Sequence, residues 1–225
     1  MVMVTVGTFI AGRWVFRDGF QNMGWRWGKP RHYQAVFALA LFIFGAPVLI
    51  ENLLGLHSLP ETFSVGALLG SFFTSFVLTL IPGFGEEFGW RAYLLPRLAQ
   101  RHSPRKALLI HAFIWWAWHI PALVKIGWQA QGAQGSPWLS VLVTLLISLL
   151  PAMMNAVLFA YVWAASGSLA VASVYHSAYD EVRDALDRGI GFGPLVSLWE
   201  MAATLLLGAA LLWKADWPRL LRRNW

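Results

Sequence analysis

Cysteine is absent from the 225 residues, and charge is scarce, with Asp, Glu, Lys and Arg together making up 12%. The first absence excludes disulfides, thiolate metal sites and a Cys nucleophile. The second argues against an ordinary water-exposed globule, which carries about 25% charged residues. Internal repeats and low-complexity linkers are also missing, so the length fits one domain. No basic leader precedes the apolar start, because Arg13 and Arg17 follow residues 1–12, and no cleavable signal peptide is expected.

What is there is apolar: 58% hydrophobic residues, 14 Trp, 15 Phe and a mean hydropathy of +0.56. A helix crossing the hydrocarbon needs about 20 mostly apolar residues. Residues 34–56, 62–82, 107–124, 138–165 and 192–213 meet that need, and 167–179 is a shorter run ending in charge. The fold expected is therefore all-α, a polytopic transmembrane helix bundle of about six to seven membrane helices or half-helices. Residues 1–33 read as an interfacial segment, or as the tail of a helix upstream of the chain.

The net charge of +6 is distributed unevenly. Arg13, Arg17, Arg26, Lys29 and Arg31 form one group, Arg97, Arg101, Arg105 and Lys106 a second, and Lys214, Arg219, Arg222 and Arg223 a third. If the spans alternate, all three groups fall on one side, and only Lys125, Arg183 and Arg188 face the other. The positive-inside tendency makes the basic side cytoplasmic, with 214–225 as a basic cytoplasmic tail. The basic charge then serves topology and lipid headgroups, and no nucleic-acid partner is expected.

Inside lipid an ionisable side chain costs a few kcal/mol unless paired or hydrated, so each one is a functional candidate. Glu87 and Arg91 are four apart, on one helix face, where they can pair. Glu86, about 100° around the same helix, lacks such a partner and is freer to act as a base. His119 lies in an aromatic segment with Trp115 one turn earlier on the same face. His176 and Asp180 are again four apart, so the carboxylate can fix the imidazole tautomer. Glu51, Glu200 and His111 read as interfacial or packing residues, and Trp115, Trp116 and Trp118 chiefly as core. One straight helix over 62–97 would be about 54 Å long, more than a bilayer needs, and Pro82-Gly83-Phe84-Gly85 offers a break.

These residues resemble a known family. Glu86-Glu87 with Arg91 looks like the EExxxR motif of the CPBP family, which includes the CAAX prenyl proteases and bacteriocin-processing or immunity proteins. Trp115 to His119 resembles its FxxxH motif with Trp in place of Phe. His176 to Asp180 resembles its HxxxN/D motif, here with Asp, and Gly167-Ser168-Leu169 matches the usual lead-in. The order and rough spacing agree over about residues 83–181, with a looser likeness from Arg17 onward.

The resemblance implies an intramembrane glutamate-dependent endopeptidase occupying 34–213. Glu86 and His119 would activate a water, His176 and Asp180 would bind or stabilise the carbonyl oxygen, and Glu87, Arg91 and Trp115 would support them. No cofactor is required in this reading; the alternative is a zinc ion on Glu86, His119 and His176, although no HExxH spacing supports it. The expected partners are a peptide or protein-tail substrate at the membrane and the lipid bilayer. The absence of cysteine suggests a prokaryotic source and hence the inner membrane. Two competing readings are a non-catalytic immunity or scaffold protein that sequesters a peptide or partner, and a proton-coupled transporter, which no inverted repeat supports.

Overall fold

The computed structural model describes residues 2–130 and 136–222, so Arg223 of the basic tail lies outside the described residues. These residues form an all-α bundle without strands among them. The helices are α1 (Val2–Val15), α2 (Pro30–Leu53), α3 (Val65–Arg101), α4 (Pro104–Trp118), α5 (Ile120–Gln129), α6 (Pro137–Ser166), α7 (Leu169–Gly189), α8 (Pro194–Lys214) and α9 (Trp217–Arg222). Helices α2, α3, α6 and α8 are each long and apolar enough to cross a membrane, and α4 with α5 forms a fifth candidate bent by 50°. The shorter apolar α1 and the largely buried α7 complete the bundle.

The run expected as one span over 107–124 is thus two helices meeting at His119. Pro121 is the physical cause: it has no N–H for the carbonyl four residues back, and its ring crowds that carbonyl. His119 takes φ −86° and ψ −4°, the bridge region frequented by turn and active-site residues.

The break expected at Pro82 does not occur. Helix α3 continues through Pro82 for 37 residues, about 55 Å at the usual rise. A proline inside a membrane helix is tolerated because neighbouring helices and local adjustments make good the lost bond. The adjustment follows directly, since Phe88–Leu94 widens into a π-helix in which Leu95 N–H reaches the Trp90 carbonyl. Such widened turns are often found at functional sites.

Contacts join segments far apart in the chain at two places. At one, Arg97 pairs with Asp18 at 2.5 Å, and Arg105 donates to the carbonyls of Leu212 and Trp213. One member of the second basic group thus meets the N-terminal segment and another meets the end of α8. At the other, His57 contacts the Ile190 carbonyl at 2.9 Å and the Glu51 carboxylate accepts from the backbone N–H groups of Gly193, Leu195 and Val196. Glu51 is consequently a cap for α8, placed where a helix N-terminus favours negative charge.

Two close approaches position the bundle around α3. Gly85 and Gly89 are four apart, and a Cβ on either would collide with α1, at Thr5 from Gly85 and at Val4 and Thr8 from Gly89. The small-xxx-small spacing lets the two helices meet almost backbone to backbone. At Gly83 an added Cβ would sit 3.2 Å from Ser177 Oγ and 3.4 Å from His176 Cβ, so the missing side chain admits α7. Thr79 Oγ1 donates to Glu181 Oε1 at 2.5 Å farther along the same pair of helices.

The start of α7 is fixed from the N-terminal segment. Gly167 ends α6 with φ +62°, and the Ser168 hydroxyl caps α7 by accepting from Val171 N–H at 3.1 Å. Leu169 N–H donates to the Gly24 carbonyl, and the Ser168 hydroxyl also donates to the Arg26 carbonyl. The Gly-Ser-Leu lead-in thereby sets the rotation of α7 and the direction in which His176 points.

Candidate active site

Helix α3 supplies Glu86, Glu87 and Arg91; the elbow between α4 and α5 supplies His119; α7 supplies His176 and Asp180. The side chains of Glu87 and Arg91 are fully buried, and Glu86 is 3% exposed. Their centre is Glu87 Oε1, which accepts from Arg91 Nη1 at 2.8 Å and from His176 Nδ1 at 2.9 Å. The i,i+4 pair expected from spacing is present. The bond to His176, 89 positions away, is the tertiary contact that joins the first motif to the third.

The Arg91 guanidinium lies against two neighbouring aromatic rings, 4.7 Å from the Phe159 centroid and 5.3 Å from that of Trp115. A desolvated cation over a ring gains about 2 kcal/mol, which helps offset the burial of this charge. Trp115 therefore serves two motifs, covering Arg91 on one side and meeting the His119 ring at 4.4 Å on the other. Nitrogen Nδ1 of His119 lies 2.7 Å from the Trp115 carbonyl. A carbonyl only accepts, so Nδ1 carries the hydrogen, and Nε2 of the neutral ring keeps a lone pair that can take a proton.

His176 is placed differently. Its Nδ1 faces Glu87 and its Nε2 lies 3.4 Å from Asp180 Oδ2, so both nitrogens face carboxylates and act as donors. The longer contact leaves room for another acceptor to compete for Nε2. Asp180 Oδ1 lies 3.5 Å from Arg183 Nη1, three positions on. An Asp at this position therefore has a cation to balance it, which an Asn would not need.

Several polar atoms around this centre are buried without a hydrogen-bond partner among the described residues: Glu87 Oε2, Arg91 Nε and Nη2, and the Tyr175 hydroxyl. Unpaired buried groups of this kind are costly and normally hold a water or a ligand. Glu86, by contrast, is buried but makes no hydrogen bond or ion pair among the described residues, which leaves its carboxylate available. Sequence reasoning missed Tyr175 and Phe159. Adjacency to His176 is the one sequence signal Tyr175 carries; one Phe among 15 carries none.

A cavity of about 650 Å³ opens between α4, α5, α6, α7 and α8. Trp115, Trp116 and His119 line it, as do Tyr179, Arg183 and Glu200, whereas Glu86, Glu87, His176 and Asp180 do not. His119 thus faces this cavity, and Trp115 beside it also touches Arg91 of the carboxylate cluster. His111 is fully buried packing, as expected.

Among the described residues no three or more His, Asp or Glu side chains are grouped to hold a metal ion. Both nitrogens of His176 face carboxylates, and Nδ1 of His119 faces a carbonyl.

The fold and the buried carboxylate-histidine cluster define a polytopic helical membrane protein with a polar site inside its bundle. The family model for type II CAAX prenyl endopeptidase, Rce1-like, matches residues 68–182, which is half of the chain. The chain belongs to that family of integral membrane proteases, whose substrates are peptides or proteins at the membrane. No curated protein matches it. The matched region begins within α3 and ends just beyond Asp180, so it contains all three motifs.

Proposed function

We propose that the chain is an intramembrane glutamate-dependent endopeptidase that hydrolyses a peptide bond with a water activated by Glu86 and His119. The observation that carries this reading is the division of labour between adjacent carboxylates. Glu87 is committed to Arg91 and His176, while buried Glu86 is uncommitted. A base must be free to accept a proton.

The proposed sequence of events is short. Glu86, with His119 Nε2, takes a proton from water as its oxygen attacks the scissile carbonyl carbon. The carbonyl oxygen gains the negative charge, which the N–H of His176 stabilises as Asp180 yields its place. Collapse of the intermediate breaks the C–N bond, and the proton held by Glu86 and His119 passes to the leaving amine. Arg91 holds Glu87, and Glu87 holds His176 in the required rotation.

In this reading the basic end faces the cytoplasm of a prokaryotic cell, and the substrate is a peptide or protein tail reaching the site from the membrane. No cofactor is required in this reading, and zinc on Glu86, His119 and His176 is the alternative.

The test uses purified protein in detergent with quenched lipidated and unlipidated peptides, with and without chelator. Glu86→Gln and His119→Ala are each expected to lower cleavage by about 10²-fold or more while the protein stays folded. Cleavage should survive the chelator. Activity retained in both variants would refute the assignment, and loss in chelator with rescue by zinc would transfer it to a metal site. Folded protein silent on every peptide would favour the sequestering alternative.

A further inference from the structure

The cavity beside His119 carries a charge that the proposed chemistry does not use. Glu200, on α8 and outside the family match, contributes its carboxylate to the lining. Its hydrogen-bond contact among the described residues is the Tyr179 hydroxyl at 3.5 Å, the outer limit of such a bond, while the Arg183 charge acts on it from farther off. Asn155 lines the same space, and its Oδ1 is buried without a hydrogen-bond partner among the described residues. Both are acceptors.

The cation nearest at hand, Arg183, is already engaged. It contacts Asp184 Oδ1 at 2.7 Å and Asp180 Oδ1 at 3.5 Å. Arg183 is thus drawn toward those two carboxylates and acts on Glu200 only from farther off, so Glu200, the one carboxylate in the lining, has no ion pair of its own among the described residues. An unpaired carboxylate within a membrane bundle is costly and seeks a cation or a donor. The remaining walls are largely apolar, including Leu123 and Ile147, and would accommodate an aliphatic stem. An apolar volume of about 650 Å³ with convergent acceptors is built for an amphipathic group ending in positive charge.

We propose that this cavity is a specificity subsite for a lysine or arginine side chain of the substrate, with Glu200 as the charge-selecting residue and Asn155 as a second acceptor. The assignment rests on the peptidase reading above for its place in a reaction, because His119 of that reading lines the cavity. It puts the basic residue close to the scissile bond. Binding itself needs no reaction, so the subsite can be tested apart from catalysis.

The probes are fluorescein-labelled short peptides, identical except for lysine or norleucine at one position moved along the sequence. Equilibrium binding is read by polarisation on the Glu86→Gln background, and kcat/KM on the unmutated protein. At one position lysine should be favoured over norleucine by about tenfold, the worth of a hydrogen-bonded ion pair partly shielded from water. Glu200→Gln should bring that ratio close to one, and Glu200→Lys should reverse it in favour of a glutamate-bearing peptide, with monodisperse elution confirming that each variant is folded. A ratio that Glu200→Gln leaves unchanged, or no lysine preference at any position, overturns the subsite. Lysine-selective binding that depends on Glu200 but is never followed by cleavage upholds the subsite and overturns the peptidase reading instead.

Discussion

The two halves of α3 have one backbone and opposite surroundings. From Val65 to Ile81 the helix is uncharged and turned outward, with Val65, Phe73, Val77, Leu78 and Ile81 all more than half exposed. From Gly85 to Tyr93 every residue is buried, and the segment contains two glutamates and an arginine. Hydropathy marks the outward half as the better membrane helix, whereas the chemistry lies in the half with the polar residues. In a bilayer, apolar surface needs no protein around it, but charge does, so enclosure follows the polar residues.

The largest effect should come from removing a charge in the enclosed half. Arg91→Ala would leave the Glu87 carboxylate buried with only His176, and would open a space beside Phe159 and Trp115. Loss of one partner of a buried pair costs about 3–5 kcal/mol. Unfolding in bicelles should show a loss of that order, against a small change for Phe73→Ala in the outward half. Equal losses in the two would erase the distinction between the halves.

Next come the glycines. Gly85→Ala and Gly89→Ala each place a methyl where α1 sits, and overpacking of this kind costs about 1–3 kcal/mol. The expected signature is specific: faster proteolysis within residues 2–15, with the end of α7 unaffected. Glu51→Ala follows at about 1–2 kcal/mol, since it strips three backbone N–H groups at the start of α8 of their acceptor. Amide exchange at Gly193, Leu195 and Val196 should rise ahead of exchange elsewhere in α8.

These residues also show what could be read in the sequence and what could not. Local spacing was sufficient for the Glu87–Arg91 pair, the His176–Asp180 pair and the contact of Trp115 with His119, because i,i+4 neighbours share a helix face whatever the tertiary fold. Apolar runs gave α2, α6 and α8 to within a few residues, but not the far end of α3, which runs to Arg101, nor the bend at His119. Three things depended on long-range packing. Helix α3 passes through Pro82, where a break was expected, because neighbouring helices support it. Glu87 reaches His176 only because Gly83 lets α7 approach. Glu51 caps a helix 142 positions away from it in sequence, which no local pattern encodes.

The smallest effect sharpens the comparison best, because it uses the same substitution in the other half of the same helix. Gly70 lies in the outward half, and a Cβ built on it meets nothing within 4 Å. Gly70→Ala therefore adds no collision and removes the flexibility that makes glycine a poor interior helix residue. It should be neutral, or stabilising by up to about 1 kcal/mol. Measured beside Gly85→Ala under the same bicelle conditions, the two changes should have opposite signs or differ by at least the cost of overpacking. A marked loss at Gly70 would mean that the outward half is covered by protein in the membrane, either a second copy or a partner, and that α3 is enclosed along its whole length. A neutral result would leave lipid as its neighbour and confine the constraint on glycine to the segment that holds Glu86, Glu87 and Arg91.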